Sequence, residues 1–411
     1  MDHQLESING TIMSKRTKDK DLEKLDVIKD SPQMSLFEII ESPAKKDDYS
    51  NTIEIYDALP KYIWDQKREH EDLSNAVVTR QCSIRGQQFT VKVKPAIIEK
   101  DDGRTVLIYA GQREEILEDA LRKLAVNGKG HIIEGKAGVM FTLYELQKEL
   151  SKMGHGYNLT EIKEAIQVCR GATLECISDD GEAFISSSFF PMVGLTTRGE
   201  FRKKGGNARC YVQFNPLVNE SIMNLSFRQY NYKIGMQIRS PLARYIYKRM
   251  SHYWTQASPD SPYTPSLISF LTQSPRELSP RMPENVRAMK LALEALIKQE
   301  VISDYDANQI KDGRRVIDVR YVIRPHENFV KQVMASNKRK QQTELRAIKH
   351  GTIDHDIIDE RQSKGRSPQL PIPQRKKGAS APFFMPRGTL HQVGPQAECP
   401  RMWVLCTDRV N

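Results

Sequence analysis

The stretch RMPENVRAMKLALEALIKQ, residues 281–299, decides how the second half of this chain is read. Pro283 and Glu284 suit the first turn of a helix. There the missing proline N–H is not needed, and a carboxylate meets the positive end of the helix dipole. From that start Val286, Met289, Leu293, Leu296 and Ile297 recur at the three- and four-residue spacing of one inward face. Arg281, Asn285, Arg287 and Lys290 fall near the leading end. Asparagine can pair in two-pronged fashion with adenine, and arginine with guanine, in the major groove. The spacing therefore predicts a helix over 283–299 with an apolar side and a leading edge able to read bases. The plainer alternative is a solvated helix face.

The flanks give that helix a context. Downstream, Val301-Ile302-Ser303 and residues 316–323 read as strands on either side of an Asp312-Gly313 turn, with Lys311, Arg314 and Arg315 at the tip. Upstream, Ser240-Pro241 opens a helix over 242–253, and Thr264-Pro265 opens a short one reaching Leu271. Three helices followed by a basic hairpin is the order of a winged helix-turn-helix. In that design the third helix enters the major groove and the wing meets phosphates beside it.

The same order stands earlier in the chain. Residues 105–109 read as a strand. Ile116, Leu117, Ala120, Leu121 and Leu124 mark a helix over 113–124. A second helix is expected over 141–150, where Thr142 and Glu145 form a capping-box pattern, and a third over 160–169. A hairpin over 172–177 and 183–190 follows, then the basic residues Arg198, Arg202, Lys203 and Lys204, and a strand over 209–214. Glu161 and Glu164 on this third helix would repel phosphates. Two roles stay open for the unit: backbone contact through its basic loop, or protein contact. The fold class is therefore α+β, two tandem winged helix-turn-helix domains with disordered N- and C-terminal tails. The expected divisions are a leader at 1–50 and an extension at 51–104, with a hairpin turning at Gly86. A first domain at 105–235, a second at 236–329 and a tail at 330–411 follow. The duplication is of pattern, not of residues.

Composition bounds the partners. The 411 residues carry a net charge of +10, but residues 331–411 hold 15 Lys/Arg and 7 Asp/Glu, so +8 of it lies in the tail. Any DNA-facing surface in the body must come from local patches. The leader and tail are polar and poor in apolar residues, as disordered segments are. No apolar run approaches the ~18–20 residues of a membrane span, and the first twenty residues lack the apolar core of a secretory signal, so a cytoplasmic location is expected. The cysteines at 82, 169, 176, 210, 399 and 406 show no metal-ligand spacing and read as scattered reduced thiols.

Enzyme motifs fail on their chemistry. Residues 130–137, Gly-His-Ile-Ile-Glu-Gly-Lys-Ala, match G-x-x-x-x-G-K but end in Ala where a hydroxyl should hold Mg²⁺. A mobile connector is expected there. Asp354-His355-Asp356 lies in the tail and reads as solvated charge. No catalytic constellation, metal site or cofactor is expected.

Taken together, residues 141–146, the 239–247 segment Arg-Ser-Pro-Leu-Ala-Arg-Tyr-Ile-Tyr, and the long helix leading into Gly313 resemble plasmid replication initiators of the TrfA/RepA type. The resemblance covers about 33–325. It implies two winged-helix domains that bind repeated origin sites (iterons), open adjacent DNA and recruit a host replicative helicase or its loader, with a monomer–dimer balance limiting copy number. Gln33-Met34-Ser35-Leu36-Phe37 is similar to the Gln-Leu-Ser-Leu-Phe peptide that docks on the host sliding clamp. Leu36 and Phe37 would fill an apolar pocket, Gln33 would bond its rim, and Met34 nearly conserves the usual leucine's volume. The alternatives are a winged-helix transcriptional regulator and a protein–protein adaptor.

Overall fold

The computed structural model describes residues 49–64, 69–70, 76–84, 87–100, 102–181, 184–195 and 209–349, all within one compact unit. The clamp-like peptide Gln33–Phe37, the basic residues Arg198, Arg202, Lys203 and Lys204, and Asp354-His355-Asp356 lie outside the described residues.

In chain order the elements are β1 (Tyr49–Ile53), α1 (Glu54–Ala58), β2 (Glu69–His70), β3 (Val78–Ile84), β4 (Gln87–Lys94), β5 (Ala96–Glu99), β6 (Thr105–Ile108) and α2 (Gln112–Leu124). A turn over Ala125–Lys129, in which Gly128 takes left-handed backbone (φ 84°), leads into β7 (Gly130–Ile133), β8 (Lys136–Thr142), α3 (Leu143–Lys152), α4 (Leu159–Gly171), β9 (Thr173–Ser178) and β10 (Phe184–Ser188). Then come β11 (Val193–Gly194), β12 (Arg209–Gln213), α5 (Pro216–Met223), β13 (Phe227–Asn231) and α6 (Tyr232–Gln237). The chain continues with α7 (Pro241–Tyr253), α8 (Leu267–Thr272), α9 (Met282–Lys298), β14 (Ile302–Asp312), β15 (Arg315–Pro325) and α10 (Glu327–Lys349).

Two apolar cores organise these elements into lobes. The first gathers Phe89, Val91, Leu117, Leu121, Phe141, Leu146, Ile166 and Phe190, and the second Ile246, Met250, Leu271, Met289, Leu293, Leu296 and Tyr321. In the second lobe α7, α8 and α9 are followed by the hairpin β14–β15, as the periodicity predicts; in the first lobe the hairpin β7–β8 comes between α2 and α3, before α3, α4 and the antiparallel pair β9–β10. The helix starts are fixed by local chemistry. Thr142 Oγ1 accepts from the Glu145 N–H at 3.1 Å while the Glu145 carboxylate accepts from the Thr142 N–H at 2.8 Å. Asn158 and Glu161 make the same reciprocal pair at 2.9 and 2.8 Å. Each arrangement satisfies N–H groups that a helix start would otherwise leave unpaired. Residues 141–142, expected to begin a helix, instead end β8, and the cap at Thr142 sets the boundary.

The 51–104 extension does not stand apart. Its hairpin β3–β4 pairs through β4 with β9, giving the antiparallel sheet β10-β9-β4-β3. The first lobe's wing is thereby absorbed into a larger sheet. Residues 130–137 are a hairpin rather than a mobile connector. β7 pairs with β8 across a turn in which Glu134 (φ 51°) and Gly135 (φ 72°) both take left-handed backbone, the geometry that matches strand twist. Its N–H groups serve the strand ladder and do not curl around a phosphate.

Two expectations at the end of the second lobe are overturned. Residues 330–349, assigned to a disordered tail, continue α10, whose start packs Phe329 and Val333 into the second core while Ala347 joins the first. Ser336 Oγ donates to the Gln229 carbonyl at 2.6 Å, and Asn337 Nδ2 donates to the Thr255 carbonyl at 3.0 Å. The helix straps both lobes. Its short polar side chains looked like tail composition because their carbonyl partners lie far away in sequence. Ile297, expected on the inward face, is exposed at 37 %.

Between the lobes lies a buried ionic cluster. Arg244 of α7 holds Glu115 of α2 in two-pronged fashion at 3.3 and 3.2 Å, and Lys248 reaches Asp119 at 2.6 Å. Arg122 grips Asp57 at 2.8 and 2.7 Å and Glu118 at 3.1 Å, while Lys61 lies 3.4 Å from Asp57. Burial pushes the Asp57 carboxyl up, but Arg122 and Lys61 outweigh it and hold the group well below the usual carboxylate range. Such clusters add little net stability over apolar packing. Their loss is costly because one removed partner strands a buried charge.

Cys82, Cys169, Cys176 and Cys210 are buried, and burial pushes Cys82 and Cys176 up to about 12. Neither of those two is primed as a nucleophile.

Candidate nucleic-acid interface

Helix α9 packs Met289, Leu293 and Leu296 on α7 and turns its other side outward. Arg281 is its N-cap residue, with 81 % of its side chain exposed and an ion pair to Glu284 at 3.4 Å. Arg287 is exposed, and Lys290, near Glu294 at 3.8 Å, has 63 % of its side chain exposed. Leu291, next along the helix, is 55 % exposed. Arg281, Arg287 and Lys290 thus occupy the outward side expected of them.

Asn285 does not. It is 1 % exposed, and its amide bridges the preceding turn, donating to the Ser279 carbonyl at 2.7 Å and accepting from the Ser279 N–H at 2.9 Å. Arg276 adds a contact at 3.3 Å. With those bonds made, the side chain has no reach toward a base. Its role is to pin the turn that leads into α9, and it leaves the base-reading set. Leu291 was missed because an apolar residue on a helix reads as core. Its place opposite Met289 and Leu293 is the signal that could have found it.

The hairpin β14–β15 is a two-stranded ribbon of eleven residues a side, roughly 35 Å long at ~3.3 Å per residue. Its base joins the second core through Ile302, Val319, Tyr321 and Ile323. Asp318 fixes it to α8, accepting from Ser266 Oγ at 2.5 Å and the Ile268 N–H at 3.1 Å. Lower on the ribbon Arg324 is neutralised by Asp304 and Asp306. At the tip Lys311, Arg314 and Arg315 are exposed around Gly313, whose φ of 55° makes the turn. With Arg324 paired, the ribbon's exposed basic side chains are Arg320 midway along β15 and the cluster Lys311, Arg314 and Arg315 at the tip.

The first lobe presents a quieter surface. Glu164, expected to repel phosphates, is bound by Lys100 at 3.0 Å and Arg113 at 2.8 Å, and the Glu161 carboxylate serves the cap of α4. Both acids are thus occupied within the lobe. Thr160, Gln167 and Arg170 form the exposed side of α4.

Among the described residues no group of His, Cys, Asp and Glu side chains could hold a metal ion, and no helix is long and apolar enough to cross a membrane.

No family model matches this chain, and no curated protein matches it. Among solved structures it is similar to the selenomethionine crystal structure of domains 2 and 3 of RctB, at 12 % identity and TM-score 0.41, over 66 % of this chain and 96 % of that one. A second RctB domain 2–3 structure gives 11 % identity and TM-score 0.39, over 68 % and 99 %. The Pi initiator protein in complex with iteron DNA gives 12 % identity and TM-score 0.34, over 52 % and 94 %. The likeness is loose at these scores and does not say what this chain binds.

Proposed function

We propose that the chain is an origin-binding replication initiator that acts without catalysis, its two three-helix-and-hairpin units serving as tandem winged helices on double-stranded DNA. One observation carries the reading. The outward side of α9, with Arg281, Arg287 and Lys290, belongs to the same small unit as a long ribbon whose exposed tip carries Lys311, Arg314 and Arg315. A helix in the major groove with a basic wing on the adjoining backbone asks for that pairing. Base edges would be read by Arg287 and Lys290, with Leu291 placed to touch a thymine methyl. The ribbon tip would neutralise phosphates and position the helix without reading sequence. The first lobe would add backbone contact through Arg170 and the 198–204 segment.

Resemblance to the TrfA/RepA type extends the reading to iterons as the repeated sites, to a host helicase or its loader as recruited partner, and to a monomer–dimer balance. It also extends to the sliding clamp as the partner of Gln33, Met34, Leu36 and Phe37. Binding several adjacent sites would bend origin DNA, and contact energy would offset part of the cost of opening it. Footprinting of the full chain on the DNA flanking its coding region tests this. Protection of direct repeats spaced by about two helical turns is expected. Uniform, sequence-blind protection rejects the assignment.

A further inference from the structure

Arg80 lies on β3, in the hairpin that the first lobe adds to its wing, and its side chain is 6 % exposed. Its Nε donates to Glu277 Oε1 at 2.6 Å, across 197 residues of sequence. The same guanidinium donates through Nη1 to the Pro60 carbonyl at 3.0 Å and the Tyr62 carbonyl at 2.7 Å. Glu277 sits in the turn between α8 and α9, in left-handed backbone with φ +66°. For a residue with a Cβ that conformation costs on the order of 1 kcal/mol, which glycine would avoid. The glutamate bears the strain, and its carboxylate, half exposed to water, reaches the buried arginine.

The turn is held from three directions. From α8, Ser274 is buried and its Oγ donates to the Leu271 carbonyl at 2.9 Å. From α9, Asn285 holds both the N–H and the carbonyl of Ser279. From the first lobe comes Arg80. The first two bonds lie within the second lobe and move with it. Of these three, the Arg80 bond is the one that registers the entrance of α9 against the other lobe.

We propose that Arg80 is a positioning residue for base reading, holding the α8–α9 turn through Glu277 so that the outward side of α9 keeps a fixed setting relative to the first lobe. This rests on the DNA reading above and assigns its specificity partly to a residue that touches no base. The bond need not add stability: Glu277 is half exposed, so its removal opens the Arg80 Nε to water instead of stranding the charge as in the enclosed Arg244–Glu115 pair, the arginine keeps both carbonyls, and glycine at 277 relieves the backbone.

The test uses the full chain and the duplex that it enriches from a randomised pool, with a scrambled duplex of equal length as reference. Glu277→Gly is expected to melt no lower than the parent yet to lose roughly five- to tenfold in affinity for the enriched duplex, with the scrambled one unchanged. Arg80→Lys, which keeps the charge but not the fork, should lose similarly. Glu277→Gln, which keeps an acceptor oxygen, should recover most of the loss. A purely structural turn would shift melting and leave discrimination intact, and that result overturns the inference. So does an equal loss on both duplexes. Arg287→Ala separates the two claims. If it abolishes discrimination while Glu277→Gly and Arg80→Lys keep it, the tether fails and the DNA reading stands. If the pool yields no enriched duplex, the DNA reading itself fails.

Discussion

Helices α4 and α9 each stand last before an antiparallel hairpin, yet their surroundings differ. Helix α4 has its acids engaged by Asn158, Lys100 and Arg113, and the hairpin after it is backed by β4 and β3. Helix α9 keeps a row of basic side chains in water, and its hairpin is a two-stranded ribbon bridged by residues 263–266 near its base, with its outer half unbacked by another strand. A three-helix-and-hairpin unit is therefore not by itself a DNA reader. What it can do depends on which of its faces the rest of the molecule has already covered. Here the first lobe builds inward, toward sheet and cluster, and the second builds outward.

The largest expected effect breaks the frame that holds the two together. Arg244→Met should cost about 3–5 kcal/mol in denaturant unfolding, because the buried Glu115 loses its two-pronged partner and keeps only the longer Lys248 contact at 3.5 Å. The double variant Arg244→Met, Glu115→Leu should recover most of that loss. Asp57 gives the same frame a pH signature. Its folded-state value is depressed, so its contribution is fully present above the ordinary carboxylate value of about 4 and is lost as pH falls further, through the lower folded value. Stability measured against pH should show that acid-side fall reduced in Asp57→Asn.

The next comparison lies within α9. Asn285→Ala should lower unfolding free energy by about 1–3 kcal/mol, since Ser279 loses buried partners. Arg287→Ala should leave melting unchanged and cost about 1–3 kcal/mol of discrimination between enriched and scrambled duplexes. If the two variants behave alike, the division between pinning and reading is wrong.

The smaller effects compare the two hairpins and the two helices. Arg314→Ala with Arg315→Ala should weaken binding to every duplex alike and reduce the slope of log affinity against log salt by about 2. Arg170→Ala on α4 should reduce the same slope by about 1 or less. A larger loss from Arg170 would move the weight of binding to the first lobe.

Much of this architecture was legible in the chain alone. The Thr142–Glu145 cap, the Ser240-Pro241 start, the 283–299 periodicity and the Gly313 turn each depend on neighbours a few residues away. Local sequence carries that information directly. The outward placement of Arg281, Arg287 and Lys290 followed from the same periodicity. The commitment of Asn285 to the turn could not be read that way, because an amide at a helix start serves a base or a backbone equally well until the backbone arrives. The strap made by α10, the joining of β3–β4 to the wing, the Arg244–Glu115 and Arg122–Asp57 pairs and the Arg80–Glu277 bond were likewise closed to sequence reading. Each joins residues far apart in the chain. A charged or amide side chain states what it can bond, and only the folded backbone decides which partner comes within reach.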